Sequence, residues 1–291
     1  MKNNYETGIK KTKKENTAIK VLTIVVLILL LLIFLYPIYI VLINSIKSRR
    51  DIIVDPLAFK GKKGLTTENF VNAFKAVNFP RVFANSLIIT LSSVALIILS
   101  SATAAYIFAR NEWKINKFFY SLMLSSMVIP FQVLMIPLVS IYGARMNILN
   151  NRLTLILMHT GFSVAMGVFM YRSYIRTSVP VSLEEAARID GANVYQTFWR
   201  IVFPLLKPIT ATIATLYAFA IWNDFLLPSL VLTQRGLFTI PIATQVFYGT
   251  YSSDLGLIMA SLVMAATPLV ILYLILQKQI MSGVVAGAVK G

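Results

Sequence analysis

Residues 21–46 read VLTIVVLILLLLIFLYPIYIVLINSI, 26 consecutive positions without Asp, Glu, Lys or Arg. About 20 apolar residues at 1.5 Å rise cross a hydrocarbon layer of ~30 Å, so this stretch is long enough to span a membrane. Working outward, four more uncharged runs occupy 82–109, 118–144, 153–171 and 255–277, with 28, 27, 19 and 23 residues. A sixth stretch, 208–232, is apolar and long enough but carries Asn223 and Asp224 in its later half. Six spans are expected, and an even number puts both termini on one side. Across its 291 residues the chain is 57% hydrophobic and only 13% charged. That charge content is about half that of a soluble domain. A water-soluble globule is excluded, since a mean hydropathy of +0.75 extends over the whole length. The net charge of +16 would suggest nucleic acid in a soluble protein, but here the basic residues sit in loops between apolar runs. With no cysteine, disulfides, thiolate metal sites and cysteine nucleophiles are excluded.

Residues 1–20 form a polar, Lys-rich leader that resembles the start of a signal peptide. The run after it is too long for one and lacks a small-residue cleavage pattern, so a retained first helix is expected. Lys and Arg number 16 on the side of the leader and 11 on the other, which places both termini in the cytoplasm. The 8 basic residues in 47–81 run against this rule locally. Pro37, Pro130, Pro137, Pro228 and Pro268 interrupt the spans. Their missing N–H groups imply kinked helices in a bundle with partners. The spans form one membrane domain, 21–281, followed by a small-residue tail, 282–291.

Between the fourth and fifth spans lies a long loop, 172–207, that reads as ordered. Ser182 and Glu185 have the spacing of a capping box, which predicts a helix from Leu183. Gly191 should end it after about two turns, with a second helix over 194–202 running to Pro204. Leu183, Ala186, Ala187, Ile189 and Asp190 then lie on a compact surface helix whose alanines let another backbone approach. This has the character of a docking element.

Glu185-Ala186-Ala187, three residues, Gly191, nine residues, Ile201, one residue and Phe203-Pro204 resemble the EAA loop of ABC importer permeases. That loop ends in Leu-Pro; Phe203 keeps an apolar side chain there. Asp190-Gly191-Ala192, Phe198, Trp222-Asn223-Asp224-Phe225 and the closing Gly287 to Gly291 resemble the second permease of the maltose-type carbohydrate importers, and the likeness covers nearly the whole chain. It implies an all-α membrane protein of six transmembrane helices with the type I ABC importer permease architecture, in a bacterial cytoplasmic (inner) membrane. It also implies a coupling helix that seats in a cytoplasmic ATPase, with Leu183, Glu184, Glu185, Ala186, Ala187, Asp190, Gly191 and Ala192 as coupling residues. Glu185 would pair with a basic residue of the ATPase, or complete the capping box, or both. Trp199 and Phe203 read as packing.

The implied assembly contains a second homologous permease, two ATPase copies, an extracytoplasmic sugar-binding protein and surrounding lipid. ATP and Mg would belong to the ATPase, with no cofactor or metal on this chain and no nucleic acid partner. The tail could reach the ATPases.

Asp224 is a charge inside a span, so it should face protein or water. With Trp222 and Asn223 it offers an aromatic face, an amide and a carboxylate suited to a sugar, or it serves structure near the outer end of its span. In the maltose-type family much of the sugar contact falls to the partner permease. His159, the only histidine, would need an acidic partner at similar depth to relay protons, and the other spans offer none. Asn85, Ser86 and Gln132 read as interhelical hydrogen-bond partners. Tyr248, Gly249, Thr250 and Tyr251 lie in an outer loop that by resemblance would contact the binding protein. Phe70, Ala73, Phe74 and Val77 predict an amphipathic helix that lies on the membrane or meets that protein.

No G-x-x-x-x-G-K-S/T motif, metal motif, G-x-S-x-G elbow or suitably spaced carboxylate pair occurs. A non-catalytic permease subunit for an oligosaccharide or similar polyhydroxy solute is the expectation. An ion-coupled secondary transporter is the alternative, disfavoured by the scarcity of charge in the spans. A membrane-embedded enzyme comes third.

Overall fold

The computed structural model describes residues 17–62, 64–247 and 254–288, and the regular elements among them are all helical. Helix α1 (Thr17–Ser45) is followed by the short α2 (Arg49–Val54) and α3 (Glu68–Ala76). The long α4 (Phe79–Arg110) leads to α5 (Lys114–Ser126) and α6 (Phe131–Leu138), the last continuing as a π-helical turn over Val139–Arg145. Then come α7 (Arg152–Ser178), α8 (Val181–Ile189) and α9 (Val194–Thr197). A π turn, Phe198–Val202, joins α9 to α10 (Phe203–Leu205). The chain ends through α11 (Lys207–Asn223), α12 (Leu226–Val231), α13 (Ile240–Thr244) and α14 (Leu255–Ala288).

Among the described residues four helices are long and apolar enough to cross a membrane, and two bent pairs raise the number to six if each counts as one span. The first bent pair corrects the expected third span. Instead of one kinked rod over 118–144, α5 and the α6 segment meet at 91°. Pro130 takes an extended conformation there, with φ −62° and ψ 133°, and donates no N–H to the preceding turn. The second correction concerns the fifth span. Its helix ends at Asn223 because Asp224 turns extended and its Oδ1 accepts the Leu226 N–H at 3.0 Å, capping a new short helix. Upstream, the segment 194–205 meets α11 at 74°. Helix α14 continues through most of the small-residue tail, to Ala288.

The tightest helix contact is between α4 and α7, and small residues make it possible. Ser93, Ser101, Ala102 and Ala105 are buried on α4, and Gly167 faces them from α7. A Cβ built on Gly167 would collide with the Ser101 side chain, so the glycine lets Ser101 pack directly against the α7 backbone. Close approach is how membrane helices gain packing energy where lipid supplies no hydrophobic drive between them. Gly167→Val should therefore wedge the pair apart at a cost of about 1–3 kcal/mol. A fall in detergent thermal stability relative to Gly161→Val, at a position with nothing within 4 Å, would report it.

Helix α1 behaves differently. Its large apolar side chains from Ile19 to Tyr39 remain 42–71% exposed, as suits a helix bathed in lipid. Its C-terminal end is tied down by hydrogen bonds. Asn44 donates to Pro56 O at 3.0 Å, and the fully buried Lys47 donates to Asp55 O and Ala58 O, each at 2.9 Å. Lys47 is thus a structural clamp, which accounts for one of the basic residues that breach the charge rule in 47–81. Asn69 on α3 adds bonds to Ser45 O and Lys47 O, each at 2.9 Å. The predicted amphipathic helix forms as α3, but its face is covered by protein. Ala73 is fully buried in a cluster with Phe247, Ile258 and Ala260, while Phe74 stays exposed.

Candidate functional site

Helix α8 forms where the EAA-like residues predict it, although the capping box does not. The helix starts two residues earlier than expected, at Val181, with Pro180 at the N-cap and no side-chain cap bond. Ser182 and Glu185 both lie inside the first turns and point outward. A complete capping box occurs instead one helix later, between Asn193 and Gln196, with both bonds at 2.9 Å. The C-terminus agrees with expectation. Gly191 has φ +83°, its N–H donates to Arg188 O at 3.0 Å, and the Ala192 N–H donates to Ala187 O at 2.9 Å. That pattern is a Schellman motif, and the left-handed position favours glycine because a Cβ there crowds its own backbone.

The two glutamates of α8 have opposite fates. Glu184 is 1% exposed and points into the protein, so its placement among outward-facing coupling contacts is corrected. One carboxylate oxygen accepts the Tyr106 hydroxyl at 2.8 Å, and the other accepts Arg110 Nε at 2.8 Å. Arg110 Nη2 also lies 2.8 Å from that carboxylate and donates to Val179 O at 2.8 Å. A buried carboxylate held by a guanidinium and a phenol welds α8 to the end of α4. Glu185, Ala186, Asp190 and Gly191 remain exposed, whereas Ala187 is buried against the body. Leu183 and Val181 are open to solvent, Ile189 is 87% exposed and Tyr195 78%. Sequence reasoning missed the clamp; Arg110 is one of several loop arginines, and nothing in its spacing ties it to Glu184, 74 positions away.

Behind α8 the packing is aromatic. Phe198 lies 5.1 Å from Tyr106 and 4.8 Å from Trp199, and Trp199 lies 5.0 Å from Phe203, ring centre to ring centre. Trp199 and Phe203 pack against Phe198 and each other, although Trp199 keeps 42% of its surface exposed. The π turn beneath them precedes the bend into α11.

At the other end of the bundle, Trp222, Asn223 and Asp224 separate into three roles. Trp222 is buried, donates Nε1 to Ala265 O at 3.4 Å and meets Phe83 edge-on at 5.7 Å, so it is core rather than a pathway contact. Asn223 is exposed and lines an apolar groove of about 400 Å³ between α11 and α14, with Phe219, Leu262, Ala265 and Tyr273. Asp224 caps α12, and its second oxygen lies 3.9 Å from His159 Nδ1. The expectation that His159 has no acidic neighbour at its depth is therefore wrong. Asp224 counted as a span-five residue, and only the break after Asn223 brings its carboxylate against α7. His159 Nε2 is buried without a hydrogen-bond partner.

Asn85 and Ser86 do bond across the fold, to the segment 236–240 that leads into the first residue of α13. Asn85 donates to Gly236 O and Phe238 O at 3.1 and 3.0 Å, and Ser86 Oγ accepts the Ile240 N–H at 2.9 Å. Gln132 is exposed. Asn150, at φ 57°, fixes the same region through Thr233 N and Oγ1 at 2.7 and 2.9 Å. Tyr248, Gly249, Thr250 and Tyr251 lie outside the described residues. No cluster of three or more metal-ligating side chains occurs among the described residues.

The described residues thus form a helical bundle that presents a short, side-chain-clamped surface helix between two candidate spans. The chain belongs to the family of binding-protein-dependent transport system inner membrane components, whose model matches residues 96–285. It is 38% identical over 254 residues to the "Probable starch degradation products transport system permease protein AmyC" of Thermoanaerobacterium thermosulfurigenes, covering 87% of this chain and 91% of the relative. It is 37% identical to the melibiose/raffinose/stachyose import permease protein MelC of Bacillus subtilis, covering 88% and 91%. Among solved structures, a chain of a bacterial ABC transporter for the acidic polysaccharide alginate superposes with a TM-score of 0.78. It is 22% identical and covers 95% of this chain and 99% of its own, a likeness of fold.

Proposed function

We propose that this chain is one of two permease subunits of an ATP-driven carbohydrate importer, and that α8 is the element through which a separate ATPase drives it. The observation that carries this reading is the two-sidedness of α8. Its inner side is locked to α4 by Glu184, while its outer side leaves Ile189, Leu183 and Val181 uncovered. Exposed apolar side chains on a helix held fast at its inner side suit a protein partner. Closure of an ATPase pair would push on this outer side, and the Glu184–Arg110–Tyr106 clamp would hand the displacement to α4 and through its tight contact to α7. The bundle then alternates between inward- and outward-open states, accepting solute from an extracytoplasmic binding protein.

The relatives' names point to oligosaccharides as the solute class. The groove beside Asn223 fits that class, since an amide and the rings of Phe219 and Tyr273 match a sugar's hydroxyl edge and apolar face. Binding ATP is no part of this chain's role, and its membrane is the bacterial cytoplasmic one.

Asp224 separates this reading from an ion-coupled carrier. Asp224→Asn keeps the oxygen that caps α12, so uptake energised by ATP should stay within about twofold of wild type, far from the decades that a lost ion-coupling charge removes. Uptake of radiolabelled oligosaccharide into proteoliposomes loaded with ATP, with and without an ion gradient, measures it. Abolished uptake in Asp224→Asn, or uptake that follows the ion gradient without ATP, would count against the importer.

A further inference from the structure

We propose that a cavity at the α8 end of the bundle binds the headgroup of an anionic phospholipid. The cavity holds about 360 Å³ between α5 and α7, and Lys117, Arg172 and Arg176 supply three cations against the single carboxylate of Glu112. Asn111 and Asn116 add amides to its wall. Arg172 is held in place. Its guanidinium carbon sits 4.1 Å over the Tyr120 ring, and its Nε donates to Phe108 O at 3.1 Å. Among the described residues its two terminal nitrogens make no further hydrogen bond, a fork that suits phosphate oxygens. Arg176 is 2.8 Å from Glu112, while Lys117 is 4.0 Å from the same carboxylate and 65% exposed.

The surroundings decide what kind of phosphate fits. On α5, Lys117, Tyr120 and Ser121 turn to the cavity, while Ile115, Phe118, Phe119 and Leu122 on its other side are 49–62% exposed. Trp113 precedes the helix at 65% exposure, in the position of an interfacial anchor. Polar cavity and apolar flank meet along one helix, so a bound molecule can set a charged head in the cavity and lay acyl chains along Phe118 and Leu122. A free phosphate uses only the first half of this arrangement. A protein partner has no need of the second, and the uncovered residues of α8 lie on a separate element. Basic cavities between membrane helices bind acidic headgroups in this manner.

Native mass spectrometry of the full-length chain, purified in mild detergent with whatever subunits it retains, tests the proposal. Phosphatidylglycerol and phosphatidylcholine of identical chains, and inorganic phosphate, are the probes. One phosphatidylglycerol per chain should remain bound in preference to phosphatidylcholine, and inorganic phosphate should not displace it. Arg172→Gln should weaken retention about fivefold, and with Arg176→Gln about 25-fold, from the usual contribution of a basic group near an anionic surface. Arg172 also braces Tyr120, so Lys117→Gln, which removes an ammonium that is 65% exposed and 4.0 Å from Glu112, serves as a second variant and should lose about fivefold. Arg145→Gln, on the π turn after α6, should retain the lipid as wild type does. Equal retention of the two lipids, displacement by inorganic phosphate, or undiminished retention in Lys117→Gln and the double variant would each overturn the proposal. So would loss of an associated subunit in these variants with lipid retention unchanged, which would assign the cavity to a protein.

Discussion

Glu184→Ala is expected to reduce solute uptake by the assembled transporter roughly 100-fold or more while the ATPase continues to turn over. Removing one partner of a buried, hydrogen-bonded ion pair costs about 3–5 kcal/mol, because the remaining charge stays desolvated without compensation. Here the stranded groups are Arg110, only 14% exposed, and the Tyr106 hydroxyl. That cost falls at the joint between α8 and α4, where it exceeds what a short helix outside the main bundle can absorb. The helix should loosen while α4 and α7 stay packed through Ser101 and Gly167. Glu184→Gln keeps one acceptor oxygen, for the Tyr106 hydroxyl or for the Arg110 guanidinium, and should fall between Ala and wild type. Parallel assays of uptake and ATP hydrolysis in proteoliposomes separate coupling from folding. Wild-type uptake by Glu184→Ala would show that α8 needs no clamp.

Ile189→Asp should act on the other side of the same helix. With 87% of its surface open, Ile189 contributes little to the fold of the isolated chain, so the variant should be produced and inserted normally. If Ile189 seats in a pocket of the ATPase, a carboxylate there removes a hot-spot contact worth about 2 kcal/mol or more and buries a charge as well. Retention of the ATPase should then weaken at least ~30-fold. Quantitative pull-down against a titration of the ATPase subunit measures this, with Ile53→Asp, at an exposed residue of α2, as the control. Gly191→Ala is a milder case. Nothing lies within 4 Å of its would-be Cβ, so only the left-handed backbone at φ +83° resists, at about 1 kcal/mol. Transport by this variant should be reduced several-fold rather than lost, as measured in the same uptake assay.

Much of this was legible in the sequence because the relevant signals are long or regularly spaced. Uncharged runs of 19–28 residues announce membrane helices whatever surrounds them. The helix over 181–189 and its glycine stop were readable because a Schellman ending demands a left-handed residue. What failed were inferences that needed the third dimension. A capping box at Ser182 satisfied the spacing rule, yet Pro180 took the N-cap, since its fixed φ already starts the helix and Glu184 then falls on the inner face. The break at Pro130 was visible as a proline, but its 91° angle depends on how α5 and α6 pack. Trp222 fits a sugar platform or a structural role equally by its sequence position, and only its ring against Phe83 separates the two. The pairing of His159 with Asp224 was hidden for a related reason. A charge assigned to the middle of a continuous span points nowhere in particular, whereas a charge at the end of a broken one caps the next helix and meets its neighbour.

The absence of cysteine from all 291 residues makes one measurement especially direct. Ile189→Cys introduces this chain's single thiol at an 87%-exposed position of α8, and a short photoactivatable maleimide can be attached to it before the chain is assembled with its partners. The account predicts a crosslink to the ATP-hydrolysing subunit, formed in high yield and altered when ATP and a non-hydrolysable analogue are exchanged. A thiol that stays freely reactive in the complete assembly, with no crosslink to any subunit, would contradict the claim that α8 is where the chain is driven.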